Sequence, residues 1–366
     1  MGVQILGAGL CGSFRTSSGM SYRELTARAA RMAYKDAGIS TEDLDGAVVA
    51  EEDFTSGYSI CDEYTPDQLG VVRKAVYTVC GDFLQALGSA VMQIETGQYR
   101  LLAVSAFSKA SNILTKDEVL NFAYDPTLGR LGVTPHYLAG IEAQAFLEAS
   151  GLSSSELAAV AVRAADRATL NPLCAYGMNI DAEQVLRSRT LASPLTQLMA
   201  AIPADGAVVA VVASDEVAAE AEHPVCIDGI SWASGTVAPE NRDHSRSIGT
   251  ELAAEAALAD AGLASAADAD VVYVSDLYAH RYIMHLDALG LVSEDCPPVN
   301  PDGGSLGMGD LYEGNGGARL YDAVQQVRGN AGAHQVSGAK SAVIQSWRGL
   351  PTDSCAVVVL SEGRKA

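Results

Sequence analysis

Apolar residues recur at helical spacing in the segment that follows Ser21. Ser21 and Glu24 form the capping-box pattern that begins many helices, because each side chain can accept a hydrogen bond from the other residue's backbone N–H. The apolar positions after them lie three or four residues apart, which predicts a helix with one face against a sheet. These positions are Leu25, Ala29, Met32 and Ala33.

The chain contains an internal repeat. The run Asp36-Ala37-Gly38 precedes the apolar run Val48-Val49-Ala50, and at one constant offset Asp260-Ala261-Gly262 precedes Val272-Tyr273-Val274. Each pair of runs predicts a helix that ends at a glycine and leads into a buried strand. We therefore expect two copies of one β/α unit.

Cys80 and Asp310 stand at equivalent places in the two copies. Apolar residues follow Cys80 at helical spacing as far as Gly97, and a buried strand begins near Leu101. Asp310 begins a similar segment, which ends at Gly329. Internal symmetry therefore predicts that Cys80 and Asp310 face each other.

The repeat predicts an α/β fold with two halves, residues 1–222 and 223–366. Each half supplies helices and a mixed sheet, which together give five layers in the order α/β/α/β/α. Residues 108–196 have no counterpart in the second half and form an insertion. Insertions of this kind usually cover a site.

Composition and charge disfavour several classes of partner. A formal net charge of −21 at pH 7 disfavours nucleic acid and anionic membranes. The seven cysteines lie far apart and are odd in number, which argues against a disulfide framework and a zinc site. No apolar run approaches the length of a membrane span. We expect a soluble cytoplasmic protein without a bound metal.

Four segments carry a resemblance to a known family. They are the Cys80 helix with its stop at Gly97; Asn171-Pro172-Leu173 and Tyr176-Gly177 leading to Ser193-Pro194-Leu195-Thr196; Asp205-Gly206-Ala207; and Asn300-Pro301-Asp302-Gly303-Gly304-Ser305-Leu306. Through them the chain resembles the thiolase superfamily, in the branch of the sterol-carrier-protein thiolases and the archaeal acetoacetyl-CoA thiolases. The resemblance implies the thiolase fold, a homodimer, and coenzyme A as substrate or product rather than as a permanently bound cofactor.

The resemblance places an acyl-carrying nucleophile at Cys80. A thiol at a helix N-terminus lies near the positive end of the helix dipole, which lowers its pKa and favours the reactive thiolate. The alternative is a small buried cysteine that only packs. The phosphates of coenzyme A need a basic pocket, and the candidates for it are Arg163, Arg167, Arg187 and Arg189, together with Ser193.

Three motifs depart from the family pattern. The family's Gly-His-Pro histidine, which activates the nucleophile, is replaced by Asp310 in the run Gly309-Asp310-Leu311. The His-Asp-Cys-Phe or Asn-Glu-Ala-Phe motif, which helps to hold the thioester oxygen, becomes Ser275-Asp276-Leu277-Tyr278, and Ser275 can still donate a hydrogen bond. The late Gln-His-Asn becomes Gln345-Ser346-Trp347. This altered set resembles the steroid side-chain aldolases and benzoylsuccinyl-CoA thiolases, whose thiolase-like subunits work with a small OB-fold and zinc-ribbon partner.

Several other residues are candidates for the same site. His136, in the insertion, is a replacement imidazole or a capping histidine. Tyr278 and Tyr312 flank the site, where they either orient a carbonyl or are half-buried structural residues. The candidates for an oxyanion hole built on backbone N–H groups are Gly309, Ser346 and Gly349.

Three functions remain open at this point. In the first, an acyltransferase, Cys80 attacks a β-ketoacyl-CoA while Asp310 or His136 moves protons. In the second, a retro-aldol lyase, Asp310 with a tyrosine removes the hydroxyl proton of a β-hydroxyacyl-CoA, and Cys80 is dispensable. In the third, the chain is a scaffold that binds acyl-CoA or a partner without chemistry, since both family histidines are absent.

Overall fold

A computed structural model of the chain describes residues 2–52, 60–112, 124–291 and 297–363. Within these ranges nine strands form one mixed sheet, and two short strands pair separately. The strands are β1 (Val3–Phe14), β2 (Gly46–Ala50), β3 (Ala75–Val79), β4 (Leu101–Lys109), β5 (Thr190–Ala192), β6 (Leu195–Thr196), β7 (Asp205–Ser214), β8 (Val225–Ala233), β9 (Val271–Tyr273), β10 (Ser341–Trp347) and β11 (Cys355–Glu362).

Helices cover both faces of the sheet and fill the space between its halves. In the described ranges they are α1 (Tyr22–Ala37), α2 (Cys61–Tyr64), α3 (Pro66–Leu69), α4 (Phe83–Glu95), α5 (Pro126–Arg130), α6 (Pro135–Ser150), α7 (Ser154–Ala168), α8 (Ala182–Arg187), α9 (Asp215–Ala218), α10 (Ile248–Ala261), α11 (Ala279–Ala288), α12 (Gly304–Met308) and α13 (Asn315–Val327). None of these described helices has the length and apolar character needed to cross a membrane.

The sheet repeats one strand order in the two halves of the chain. The order is β3-β2-β4-β7-β1 and then β8-β11-β10-β9. In each half the last strand, β7 or β11, runs antiparallel to the first strand, β1 or β8. At the place where β3 lies beside β2 in the first half, the second half has only a parallel bridge between Val272 and Val299.

The two half-sheets are joined, whereas the sequence predicts two separate sheets. Val3–Ile5 of β1 pair antiparallel with Val225–Ile227 of β8. After Ile5, β1 continues its pairing with β7 alone. This short contact makes one continuous sheet, and a pairing between residues so distant in sequence leaves no local pattern from which to predict it.

Helices α4 and α13 form the central layer between the half-sheets. Phe83 of α4 and Leu320 of α13 belong to one buried cluster with Val208 of β7 and Val358 of β11. Helix α1 covers the outer face of the first half, and α10 and α11 cover the outer face of the second. The five-layer order α/β/α/β/α predicted from the repeat is confirmed.

The described part of the insertion packs on the second half of the fold. Leu138 of α6 and Leu157 of α7 share a buried cluster with Ala253 of α10 and Trp347 of β10. The insertion leaves the first half after β4, so it crosses from one half to the other. Residues 113–123 of the insertion lie outside the described ranges.

Helix α1 begins and ends as predicted. The Ser21 side chain accepts a hydrogen bond from the Glu24 N–H at 3.4 Å, and the helix ends at Gly38, whose φ of 67° is left-handed. Met32 departs from the predicted apolar face, because 43 % of it is exposed. The helix packs through its small residues instead, including Ala29 and Ala33.

Gly9 allows α1 to lie directly on β1. A Cβ at Gly9 would come within 2.3 Å of the Ala29 carbonyl oxygen, which is a backbone atom and cannot rotate away. We therefore expect Gly9→Ala to lower the free energy of unfolding by about 1–3 kcal/mol, the usual cost of overpacking, as measured by denaturant unfolding. Gly129→Ala is the matched control, since nothing lies within 4 Å of its Cβ position. Equal losses in the two variants would contradict this account.

Candidate active site

A cavity of about 360 Å³ lies between the insertion and the loops at the ends of β9 and β10. Its polar residues come from separate parts of the chain, and apolar side chains such as Leu191, Leu277 and Leu350 complete the wall. The polar residues are His136, Gln197, Tyr278, Asp310 and Tyr312. We call this space the tyrosine cavity. It brings together five of the residues singled out from the sequence, since Gly349 lines it as well.

His136 and Tyr278 form a hydrogen-bonded pair in the cavity wall. His136 lies in the first turn of α6, where the Thr134 side chain caps the helix. Tyr278 precedes the first residue of α11 and is 7 % exposed. The Nδ1 of His136 and the Oη of Tyr278 are 3.0 Å apart, so a proton can lie between imidazole and phenol. Such a pair can hold or deliver a proton at a substrate oxygen or carbon.

Asp310 is held rigidly through one of its two carboxylate oxygens. Its Oδ1 accepts hydrogen bonds from the Tyr312 N–H at 2.9 Å and from Asn315 Nδ2 at 2.6 Å. The Oδ1 of Asn315 in turn accepts the Leu311 N–H at 2.9 Å. No donor in the described part of the chain bonds to the other oxygen, Oδ2. That oxygen is available to a substrate.

Tyr312 has an unusual backbone conformation. Its φ is 55°, in the left-handed region that residues with a side chain seldom adopt, and it is 4 % exposed. Residues held in such conformations cluster at functional sites, where the surrounding structure maintains them. Here the bond from the Tyr312 N–H to Asp310 helps to maintain it. The loop therefore fixes the carboxylate and the phenol together.

Cys80 lies outside the tyrosine cavity. It is exposed, and it is not among the described residues that form the cavity wall. Its Sγ is 3.7 Å from Nη2 of Arg348, and the same nitrogen pairs with Glu52 at 2.7 Å. Asp310 instead bonds to Tyr312 and Asn315. In the described part of the chain no hydrogen bond joins Cys80 to Asp310, and their facing each other stays a prediction.

The pKa of the Cys80 thiol is raised, opposite to the prediction. Partial burial of the thiol is the largest cause; the carboxylates of Glu52 and Glu313 also raise the pKa, while Arg348 lowers it. The helix dipole has little effect here because α4 begins only at Phe83. The cap of this helix, Asp82, accepts the Leu84 N–H, so a carboxylate rather than the thiol occupies the helix N-terminus.

The oxyanion candidates differ in their access to the cavity. Gly349 lines the cavity with a φ of 96°, a conformation suited to glycine. The Gly309 N–H donates to the Ser305 carbonyl at 2.8 Å and is not available to a ligand. The hydroxyl of Ser346 donates to the buried Asp82 at 2.9 Å. Ser275 is fully buried and is not among the described residues of the cavity wall, and its contact with a thioester stays a prediction.

The residues predicted to bind coenzyme A fall into two groups. Arg189 and Ser193 are exposed on either side of Leu191, which is part of the cavity wall. Arg187 is exposed nearby at the end of α8 and pairs with Glu183 at 2.6 Å. This group is next to the cavity.

The second group, Arg163 and Arg167, lies on α7. Arg167 donates to the carbonyl of Val299, so it is directed toward the second half of the sheet. Arg163 lies one helical turn earlier and is half-buried. The structure thus divides the predicted arginine cluster, and only its later members adjoin the cavity.

A buried ion cluster fixes the cavity walls, and it was not predicted. Glu142 of α6 is 1 % exposed and accepts hydrogen bonds from Arg281 of α11, including one of 3.0 Å from Nε. Burial alone would raise the pKa of Glu142, but the charges of Arg281 and His280 outweigh it and lower the pKa to about 2. The carboxylate therefore remains ionised inside the core. Breaking such a pair usually destabilises a protein strongly.

The Arg281 side chain extends this cluster to the loop after β10, which also lines the cavity. It lies over the Trp347 ring, 4.0 Å from its centroid, and reaches Asp353 at 3.3 Å. The same arginine thus contacts the segment that contains Gly349. The sequence contains one sign of the cluster: Glu142 lies on the buried face of α6, four residues from both Leu138 and Phe146. A carboxylate on an apolar face needs a buried partner.

Comparisons with known proteins agree with this architecture. No family model matches the chain. The chain is 29 % identical to an acetyl-CoA acetyltransferase of Methanothermobacter thermautotrophicus, over 88 % of this chain and 90 % of the relative. It is 26 % identical to a 17-hydroxy-3-oxo-4-pregnene-20-carboxyl-CoA lyase of Mycobacterium tuberculosis, over 93 % of this chain and 95 % of the relative.

Solved structures resemble the chain over its whole length. The Ltp2-ChsH2(DUF35) aldolase superposes with a TM-score of 0.85 at 22 % identity, covering 100 % of this chain and 98 % of that one. Structures of thiolases superpose as well. The thiolase fold predicted from the sequence is confirmed.

The surroundings of Cys80 predict a poorly reactive thiol at neutral pH. Because its pKa is raised, alkylation of Cys80 by iodoacetamide should reach half its maximal rate at a higher pH than a free cysteine, whose pKa is about 8.5. Arg348→Gln should move this midpoint to still higher pH, since a cation that favours the thiolate is lost. Glu52→Gln is the control: it should move the midpoint to lower pH, because a carboxylate that raises the pKa of the thiol is lost. Peptide mass spectrometry measures the rates, and a wild-type midpoint below that of free cysteine would refute the assignment.

Proposed function

Since the chain belongs to the thiolase superfamily, in the branch of the sterol-carrier-protein and archaeal thiolases, we propose that it is an acyl-CoA lyase. Its substrate in this proposal is a β-hydroxyacyl-CoA, and its reaction is retro-aldol cleavage of a carbon–carbon bond. The observation that carries the proposal is the composition of the tyrosine cavity. His136, Tyr278, Asp310 and Tyr312 line one space, and Cys80 is outside its described wall.

Asp310 is the base in this proposal. Its free oxygen, Oδ2, takes the proton of the β-hydroxyl group, while Tyr312 and Asn315 hold Oδ1 in place. As the O–H bond breaks, its electron pair forms the new carbonyl and the bond between the α- and β-carbons breaks. The electrons of that bond pass to the α-carbon and the thioester carbonyl as an enolate. No covalent intermediate with the protein is needed.

The pair of His136 and Tyr278 supplies the acid. The phenol hydroxyl, 3.0 Å from the imidazole, delivers a proton to the α-carbon of the enolate and regains one through His136. The Gly349 N–H lies in the same wall and donates to no atom of the described residues, so it can hold the enolate oxygen. The products are a ketone or aldehyde and a shorter acyl-CoA. The 26 % identity to a steroid-carboxyl-CoA lyase supports this reaction class.

Coenzyme A enters as part of the substrate. We assign its phosphates to Arg187 and Arg189, with Ser193 beside them, because these exposed residues adjoin Leu191 of the cavity wall. An arginine fork matches phosphate geometry, and both Arg187 and Arg189 are exposed, with Arg187 also paired to Glu183. The insertion, residues 108–196, then covers the bound thioester.

We propose that two copies of the chain form a homodimer through the edge strand β3 of the sheet. Strand β3 pairs with β2 on one side, and its other edge has no strand beside it in the described ranges. Tyr77 in this strand is 44 % exposed. An open edge can pair with the same edge of a second copy about a two-fold axis.

A further small OB-fold and zinc-ribbon partner is proposed on the resemblance to the Ltp2-ChsH2(DUF35) aldolase, whose name includes a second component.

A thiolase reaction at Cys80 is the second candidate. Arg348 lies 3.7 Å from the Sγ and can stabilise a thiolate when substrate binding excludes water. The 29 % identity to an acetyl-CoA acetyltransferase favours it as well. In this case Cys80 would carry the acyl group between a β-ketoacyl-CoA and coenzyme A.

Two single substitutions separate these candidates. Asp310→Asn should slow lyase turnover by about 10²–10⁴-fold, the range typical of a lost general base, while Cys80→Ala keeps the wild-type rate. The asparagine oxygen can still accept the Tyr312 N–H, so the loop should be preserved. The measurement is chromatography of shorter acyl-CoA released from a panel of β-hydroxyacyl-CoA thioesters, with thermal unfolding as the folding control. Loss of activity in Cys80→Ala alone would favour the thiolase reaction instead.

A further inference from the structure

A second cavity, of about 540 Å³, lies on the outer face of the first half. Its floor is the end of β1, from Leu10 to Phe14. One wall is the solvent-facing side of α1, and the other is the segment Pro172–Leu173. The Ser13 N–H donates to the Leu173 carbonyl at 2.8 Å, which fixes the second wall to the floor. We call this space the basic groove.

The α1 wall carries positive charge. Arg28, Arg31 and Lys35 are spaced by three and four residues, so they lie along one face of the helix and all line the groove. In a chain with a net charge of −21, such cations would be expected to find carboxylate partners. Within the described ranges none of the three forms an ion pair. By contrast Asp36, the next residue along α1, pairs with Arg328 at 2.7 Å.

These charges act on the interior of the groove. Cys11 in the floor is 8 % exposed, and burial raises the pKa of its thiol. Arg28 and Arg31 oppose that effect and are the next largest influences on it. Their guanidinium groups are therefore close enough to the floor to favour an anion there.

The rest of the groove is apolar. Leu10, Phe14, Met32, Pro172 and Leu173 line it, and Met32 is 43 % exposed. A volume of 540 Å³ falls within the range of small-molecule sites, about 300–1,000 Å³, which typically combine an apolar lining with a few charged groups. The groove has no described residue in common with the tyrosine cavity. It is therefore a candidate for a separate ligand.

We propose that the basic groove binds an amphiphilic anion, a carboxylate or phosphate attached to an apolar chain. The anionic group lies between the side chains of Arg28, Arg31 and Lys35, and the apolar chain lies over Phe14 and Leu173. The two parts of the ligand match the two parts of the groove, since the three cations form no ion pair within the described ranges and the apolar side chains of Phe14, Met32 and Leu173 are at least partly exposed. This site goes beyond the lyase reaction and does not depend on it.

Calorimetric titration of the full-length protein with three probes tests the proposal. Laurate and dodecyl phosphate should bind, and the one that binds more tightly identifies the headgroup. Dodecyl maltoside, with the same chain and no charge, should bind at least about tenfold more weakly, a difference that corresponds to one lost charge-assisted contact. Equal binding of all three, or no binding of either anion, would overturn the proposal.

A double variant locates the bound anion. Arg28→Gln with Arg31→Gln should raise the Kd for the preferred anion by about tenfold or more, whereas Arg23→Gln, on the same helix but outside the groove, should leave it unchanged. In the wild type, the anion at ten times its Kd should also slow the alkylation of Cys11 by about tenfold, because the ligand covers the floor of the groove. The alkylation rate of Cys80 should not change. An unchanged Kd in the double variant would place the ligand elsewhere.

Discussion

One buried carboxylate joins the two helices of the central layer, α4 and α13. Asp82, 2 % exposed, caps α4 by accepting the Leu84 N–H, and its other oxygen accepts the Gly316 N–H of α13 and the hydroxyl of Ser346. Because α4 and α13 lie between two half-sheets, their ends have little access to water, and every polar group there needs a partner within the protein. Burial raises the pKa of Asp82, while Arg319 and these donors lower it. A Cβ at Gly316 would come within 2.1 Å of the carboxylate, so this contact also requires a glycine.

The same network continues to the proposed base. Arg319 donates to Ser346 at 3.3 Å and to Ser305 at 2.7 Å, and Ser305 lies 3.4 Å from Asn315. Asn315 holds the Oδ1 of Asp310. The carboxylate that faces the cavity is therefore connected through hydrogen bonds to the junction of the two central helices. Preorganised groups of this kind lose little energy in rearrangement when charge develops on a substrate.

Local sequence patterns predicted much of the fold and part of the site. The Ser21 side-chain cap and the glycine stop at Gly38 mark α1 because both signals act within one or two helical turns, although only the Ser21 half of the capping box is formed. Tyr278 and Asp310 were found because they occupy family motif positions. The pair of Glu142 and Arg281, and the contact of β1 with β8, join residues far apart in the chain. No pattern within a short window contains such contacts, so the sequence did not predict them.

The surroundings of Cys80 could not be predicted for the same reason, and they change the role that we expect for this residue. Proximity to a helix suggested a thiolate, but the thiol faces Glu52 and Arg348, residues that come from distant segments. The central claim is that chemistry takes place in the tyrosine cavity without an acyl-enzyme. Intact mass spectrometry of protein quenched during turnover of a β-hydroxyacyl-CoA tests it most directly. We predict that shorter acyl-CoA forms while the protein mass stays unchanged; an acyl adduct on Cys80 that forms and decays at the rate of turnover would contradict the claim.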